Sequence, residues 1–108
     1  MDIAKTDYYN NLYAVYRDLL TDKQQDVFEL YFVDNLSLAE IAEDQHITRQ
    51  AVKCCLDSAI QALDHYENAL KFCEKMQKIE QIVKNRPSHA LKQIAHILGI
   101  VDQNNSIE

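Results

Sequence analysis

The sequence contains very few of the residues that end helices or form tight turns. Of its 108 residues, one is a glycine, Gly99, and one is a proline, Pro87. A fold rich in β-strands needs many more turn residues, whereas a chain of long helices needs few. A single glycine also argues against a glycine-rich loop that binds nucleotide phosphates. These two shortages predict an all-α protein.

Long apolar runs are missing as well. No run approaches the ~20 residues that a membrane-spanning helix requires. Residues 1–10 contain no apolar segment of the kind found in a signal peptide. The composition, 47% apolar and 26% charged, is that of a globular protein. We therefore expect a cytoplasmic protein with no membrane partner and a single helical domain over residues 1–108.

The residues that carry catalysis or bind metals show no functional arrangement. The three cysteines, Cys54, Cys55 and Cys73, include no Cys-x-x-Cys pair, so neither a disulfide framework nor a zinc site is predicted. The four histidines form no ligand cluster, and no Ser-His-Asp set or paired-carboxylate cleft is visible. We expect a protein that is not an enzyme and that has no catalytic residue, metal site or cofactor.

The charge is distributed unevenly along the chain. Residues 1–47 carry 3 Lys or Arg and 10 Asp or Glu, a balance of −7. Residues 48–108 carry 8 and 7, a balance of +1, which together give the net charge of −6. A polyanion such as DNA would therefore have to contact the second half of the chain.

Capping patterns mark where the helices begin. Residues 21–24 and 37–40 are capping boxes that start the second and third helices. The fourth helix starts at Thr48, whose hydroxyl can cap it. Only about three residues join the third and fourth helices. This spacing predicts a helix-turn-helix over about 37–58.

The fourth helix has no stop signal before Pro87, so one long helix is predicted over about 48–84. A C-terminal helix is predicted over about 88–98, which gives about five helices in all. The ~55 Å length of the long helix exceeds what a small domain covers. We therefore expect its apolar heptad row to form a homodimer interface. The alternatives are that helix one and the last helix fold back and cover the row within one chain, and that the helix breaks beyond Cys73, where the row changes phase. The row contains Val52, Leu56, Ala59, Leu63, Tyr66 and Leu70.

The first turns of the fourth helix carry the predicted DNA-binding residues. In a helix-turn-helix, the outward face of the second helix enters the major groove. Arg49 suits guanine, Gln50 suits adenine, and Lys53 suits a phosphate. The caps Thr48 and Ser37 complete the predicted set. The alternative is an ordinary solvated helix start.

The stretch LSLAEIAEDQHITRQAV, residues 36–52, resembles the region-four helix-turn-helix of bacterial sigma factors. Together with the preceding LLTDKQQDVFELYFVDN, the chain resembles the YlxM-like family over roughly residues 5–80. These are small proteins of Gram-positive bacteria encoded beside the signal recognition particle GTPase. The resemblance implies a DNA-binding, regulatory protein. The gene neighbourhood implies a link to signal recognition particle components.

One segment departs from the family pattern. After RQAV the family usually continues with Tyr-Asp-Asn-Ile and then basic residues, whereas KCCLDS follows here. Asp57 and Ser58 stand where Lys or Arg is expected, which places phosphate contacts one turn after Lys53 in question. Two hypotheses result. The chain is a DNA-binding regulator, or it is an interaction protein that docks a protein or ribonucleoprotein without contacting DNA.

Overall fold

A computed structural model describes residues 3–85 and 89–99, which form six α-helices and no strand. The all-α prediction is confirmed. None of the described helices is long and apolar enough to cross a membrane. The predicted interruption at Pro87 lies outside the described residues. The helices are α1 Ile3–Tyr16, α2 Asp22–Phe28, α3 Leu38–Gln45, α4 Arg49–Leu70, α5 Phe72–Asn85 and α6 His89–Leu98.

Both predicted capping boxes are present. The Thr21 hydroxyl accepts a hydrogen bond from the Gln24 backbone N–H at 3.1 Å, and the Gln24 side chain accepts one from the Thr21 N–H at 2.9 Å. Ser37 and Glu40 make the same reciprocal pair, at 3.1 and 2.8 Å. These bonds satisfy N–H groups that a helix N-terminus leaves unpaired, so α2 and α3 begin at the predicted residues.

Helix α4 is the centre of the packed core. Helices α1, α2 and α3 all pack against it. The described core residues before α4 lie on these three helices and on the turns that follow α1 and α2. The largest fully buried side chains, which share exposures of 1% or less, are Phe28, Leu12, Ile41, Leu63, Val27 and Val52.

This packing corrects the predicted dimer interface. Val52, Leu56, Ala59 and Leu63 are exposed by 6% or less within a single chain, because the other helices cover them. These four side chains are therefore not available to a partner chain, because α1, α2 and α3 of the same chain pack on α4. The homodimer itself stays a prediction. Further along the row, Tyr66 is half-buried and donates a hydrogen bond to the Leu19 carbonyl at 3.4 Å, while Leu70 is 52% exposed.

The predicted helix over 48–84 is interrupted. Helix α4 ends at Leu70, Lys71 has a φ of 52°, and α5 begins at Phe72. A residue in the left-handed conformation cannot continue a right-handed helix, so the helix is interrupted at Lys71. The chain also divides there into two compact units, and the second contains α5 packed against α6.

Three tyrosines of α1 attach this helix to the first unit. Tyr9 donates a hydrogen bond to Asp64 at 3.0 Å, Tyr13 to Glu29 at 2.5 Å, and Tyr16 to Glu67 at 2.6 Å. Tyr13 and Tyr16 are buried in the core. Each hydroxyl therefore satisfies a carboxylate while its ring contributes apolar contact.

Candidate nucleic-acid interface

The turn between α3 and α4 has the backbone geometry that a helix-turn-helix requires. His46 follows α3 with φ 58° and ψ 44°, in the left-handed region. The Ile47 N–H then donates to the Ala42 carbonyl at 3.0 Å, which closes the helix end. Glycine is the commonest residue at such a position, but histidine tolerates positive φ better than a branched residue does.

The start of α4 is fixed by a cap and by packing. The Thr48 hydroxyl accepts a hydrogen bond from the Ala51 N–H at 3.0 Å, so Thr48 caps α4 as predicted. Ala42 and Val52 are buried where the two helices pack, and Ile47 is half-buried beside them. The small Ala42 side chain permits close approach of α3 and α4. The capping bond and this packing together fix the direction in which α4 leaves the turn.

The residues predicted to contact DNA are exposed at this end of α4. Arg49, Gln50 and Lys53 are all exposed, while Val52 and Leu56 on the opposite face are buried. Arg49 has no ion-pair partner in the described part of the chain. A guanidinium and an amide in these positions offer the donors and acceptors that pair with guanine and adenine edges.

Ser37 lies at the other end of the motif, at the start of α3. It is exposed, and its hydroxyl oxygen accepts the capping bond from Glu40. The hydroxyl hydrogen remains able to donate to a phosphate oxygen, because a serine hydroxyl both donates and accepts. The structure therefore places Ser37 and Thr48 at the starts of the two helices of the motif.

The two departures from the family pattern each have a partner. The Lys53 ammonium lies 3.2 Å from an Asp57 carboxylate oxygen, and the Ser58 hydroxyl accepts a hydrogen bond from the Gln24 side chain at 2.6 Å. Sequence reasoning did not identify either contact. The four-residue spacing of Lys53 and Asp57 is a signal for the first. The second joins residues 34 apart, and no local pattern indicates it.

An acidic groove lies on α2, the π-helical turn Glu29–Val33 that follows it, and the end of α3. Its volume is about 250 Å³. Arg17 lies 3.4 Å from Glu29, but no described cation pairs with Asp26, Asp34 or Asp44. The groove is lined by Asp26, Glu29, Leu30, Asp34, Asp44 and Gln45.

Comparison with known proteins agrees with this geometry. A family model described as "UPF0122: Putative helix-turn-helix protein, YlxM / p13 like" matches residues 3–100. A UPF0122 protein of Lactococcus lactis subsp. cremoris strain MG1363 is 41% identical over 92 residues, covering 82% of this chain and 83% of the relative. UPF0122 protein SSU98_0878 of Streptococcus suis strain 98HAH33 is 38% identical over 107 residues, covering 94% and 95%. The chain therefore belongs to the UPF0122 family of YlxM / p13-like proteins.

Proposed function

We propose that this protein is a regulatory protein that binds double-stranded DNA by inserting the first turns of α4 into the major groove. Arg49 and Gln50 contact base edges, while Lys53, Thr48 and Ser37 contact phosphates. One observation carries the proposal. Arg49, Gln50 and Lys53 are exposed at the capped end of a helix whose opposite face is buried, so the core fixes the position of the helix that carries them.

The charge distribution predicts weak, salt-dependent binding. The first four turns of α4 contain two cations, Arg49 and Lys53, and residues 1–47 carry a balance of −7. Few phosphates are therefore neutralised, and few counterions are released on binding. The logarithm of the affinity should fall against the logarithm of the salt concentration with a slope of roughly 0.9 per phosphate contact.

A titration of labelled random-sequence duplex DNA, from ~50 to ~200 mM salt, tests the proposal. Lys53→Ala should weaken binding to all sequences alike and reduce the salt slope by about one unit per bound copy. Arg49→Ala should cost ~1–3 kcal/mol and reduce discrimination at one base pair, because arginine reads guanine. Sedimentation at micromolar concentration tests the predicted homodimer, whose interface would have to use residues other than the buried row.

Lys75→Ala is the matched control, because it removes the same charge from an exposed position on α5. An equal loss of affinity in Lys75→Ala and Lys53→Ala would contradict a contact centred on α4. Absence of wild-type binding at ~50 mM salt, a condition that favours even non-specific contact, would reject DNA binding altogether.

The acidic groove supports a second candidate function, docking of a basic protein segment. Its unpaired carboxylates are complementary to lysine and arginine side chains. The gene neighbourhood that the family resemblance implies suggests a protein component of the signal recognition particle as the partner to test. Binding of the particle's GTPase, measured by calorimetry, should weaken in an Asp34→Asn, Asp44→Asn double variant. Unchanged binding by the double variant would reject the groove as the docking site.

A further inference from the structure

The exposed side of α4 carries one carboxylate among the proposed DNA contacts. Between Arg49 and Leu63, Asp57 is the only acidic residue, and Arg49 and Lys53 are the only basic ones. Asp57 is exposed, like Gln50 and Lys53. Residues seven apart in a helix lie on nearly the same face, so Gln50 and Asp57 point in similar directions. Asp57 thus lies on the face proposed to meet DNA.

Asp57 also forms an ion pair with Lys53. Its carboxylate oxygen lies 3.2 Å from the Lys53 ammonium, one helical turn away, and the two side chains are 52% and 65% exposed. Arg49 has no ion-pair partner among the described residues, so Lys53 is the α4 cation whose charge is compensated within the chain. The contact is open to solvent, which lets Lys53 exchange between Asp57 and another anion.

We infer that Asp57 limits the DNA affinity of this helix-turn-helix by competing with phosphate for the Lys53 ammonium. The inference rests on the proposed function. When α4 approaches DNA, Lys53 has to leave Asp57 to pair with a phosphate oxygen, and Asp57 then remains as an uncompensated negative charge near the backbone. Both effects oppose binding, and neither depends on the base sequence.

The expected effect is small but measurable. Exposed ion pairs of this kind are weak, so releasing Lys53 should raise affinity up to about fivefold per bound copy. Asp57→Asn removes the charge and preserves the size of the side chain. Affinity should therefore rise for all sequences alike. The salt slope should steepen by less than one unit per copy, because Lys53 already contacts a phosphate in the wild-type complex and one cation contributes roughly 0.9 at most.

A double-mutant cycle on the full chain tests this. Wild type, Asp57→Asn, Lys53→Ala and the double variant are titrated with the random-sequence duplex at ~50 to ~200 mM salt. Asp57→Glu keeps the carboxylate and should bind like wild type. Asp18→Asn is the control, because it removes the same charge away from the proposed DNA contacts. Asp18 precedes Leu19, whose carbonyl accepts a hydrogen bond from Tyr66, 13 residues beyond Lys53 along α4. Circular dichroism and urea unfolding confirm that each variant is folded.

The inference is supported if Asp57→Asn binds more tightly than both wild type and Asp18→Asn, and if the gain shrinks in the Lys53→Ala background. It is overturned if affinity is unchanged, if the gain is equal in both backgrounds, or if Asp57→Asn alters discrimination at one base pair. Wild-type binding combined with any of these results rejects the inference alone. Absence of binding by wild type and Asp57→Asn at ~50 mM salt rejects both the inference and the proposed function.

Discussion

At the scale of single residues, the tyrosines of α1 combine packing of their rings with hydrogen bonds from their hydroxyls to carboxylates. Their rings were predictable as packing residues, because Tyr9, Tyr13 and Tyr16 recur at helical spacing. Their carboxylate partners were not, because Tyr9 and Asp64 are 55 residues apart. Such contacts depend on how helices are arranged in space. A pattern within one helix contains no information about that arrangement.

Replacing Tyr13 with phenylalanine should lower the free energy of unfolding by about 1–3 kcal/mol, because Glu29 loses a donor in a part-buried position. Urea unfolding at pH 7 measures the change. Tyr31→Phe is the matched control, because the Tyr31 ring contacts Phe32 while its hydroxyl makes no described hydrogen bond. Equal losses in the two variants would show that the Tyr13 hydroxyl contributes nothing.

The raised pKa values of two of these tyrosines predict a loss of stability at alkaline pH. Burial and the hydrogen bond to Asp64 raise the pKa of Tyr9 from 10.0 to about 12, and burial and Glu29 raise the pKa of Tyr13. The folded state therefore holds these protons more tightly than the unfolded state. The stabilisation is complete below pH ~10 and is lost as the pH rises towards 12.

Urea unfolding from pH 8 to 12 measures this loss. A Tyr9→Phe, Tyr13→Phe double variant should show a flatter dependence of stability on pH than wild type, because both shifted groups are absent. Parallel curves for the two proteins would contradict the assignment.

At the scale of helices, starts were more predictable than ends. The caps at Thr21, Ser37 and Thr48 are local side-chain signals, and all three are confirmed. The break at Lys71 has no such signal, since lysine is a good helix former and no Gly or Pro is near. The π-helical turn Glu29–Val33, whose carbonyl at Glu29 accepts from the Asp34 N–H at 3.0 Å, is equally unmarked.

The left-handed residue in the turn gives a prediction for the whole motif. His46→Gly should raise the free energy of unfolding by up to ~1 kcal/mol, because glycine adopts positive φ without steric cost. His46→Val should lower it by more than ~1 kcal/mol, because a branched side chain resists this conformation. Urea unfolding of the two variants against wild type measures both changes. A valine variant as stable as wild type would show that the turn does not require positive φ.

At the scale of the whole molecule, the apolar row on α4 shows what periodicity determines. The spacing correctly identified a buried face at Val52, Leu56, Ala59 and Leu63. It did not identify which surface buries that face, because a partner chain and the chain's own helices bury the same pattern. The positions of the proposed DNA contacts on an exposed helix start were predictable for a related reason, since the motif is local in sequence.

Two substitutions in this row separate core from surface. Leu63→Asp should unfold the first unit, because it places a charge at a position with 0% exposure. Leu70→Asp makes the same change seven residues later, at 52% exposure, and should leave the fold intact. Circular dichroism and sedimentation at micromolar concentration distinguish the outcomes. A folded Leu63→Asp variant of reduced mass would restore the dimer interpretation.

Helix α4 is both the helix that the rest of the first unit packs on and the helix proposed to contact DNA. Occupancy of its first turns therefore stabilises the element on which the core is built. At a free duplex concentration of about ten times Kd, mass action adds about 1.4 kcal/mol to the folded state. For a unit of this size, that corresponds to a rise in melting temperature of roughly 6–11 °C. If the protein binds DNA as proposed, its heat resistance reports DNA occupancy, and a screen of duplexes for thermal protection needs neither a label nor a known target.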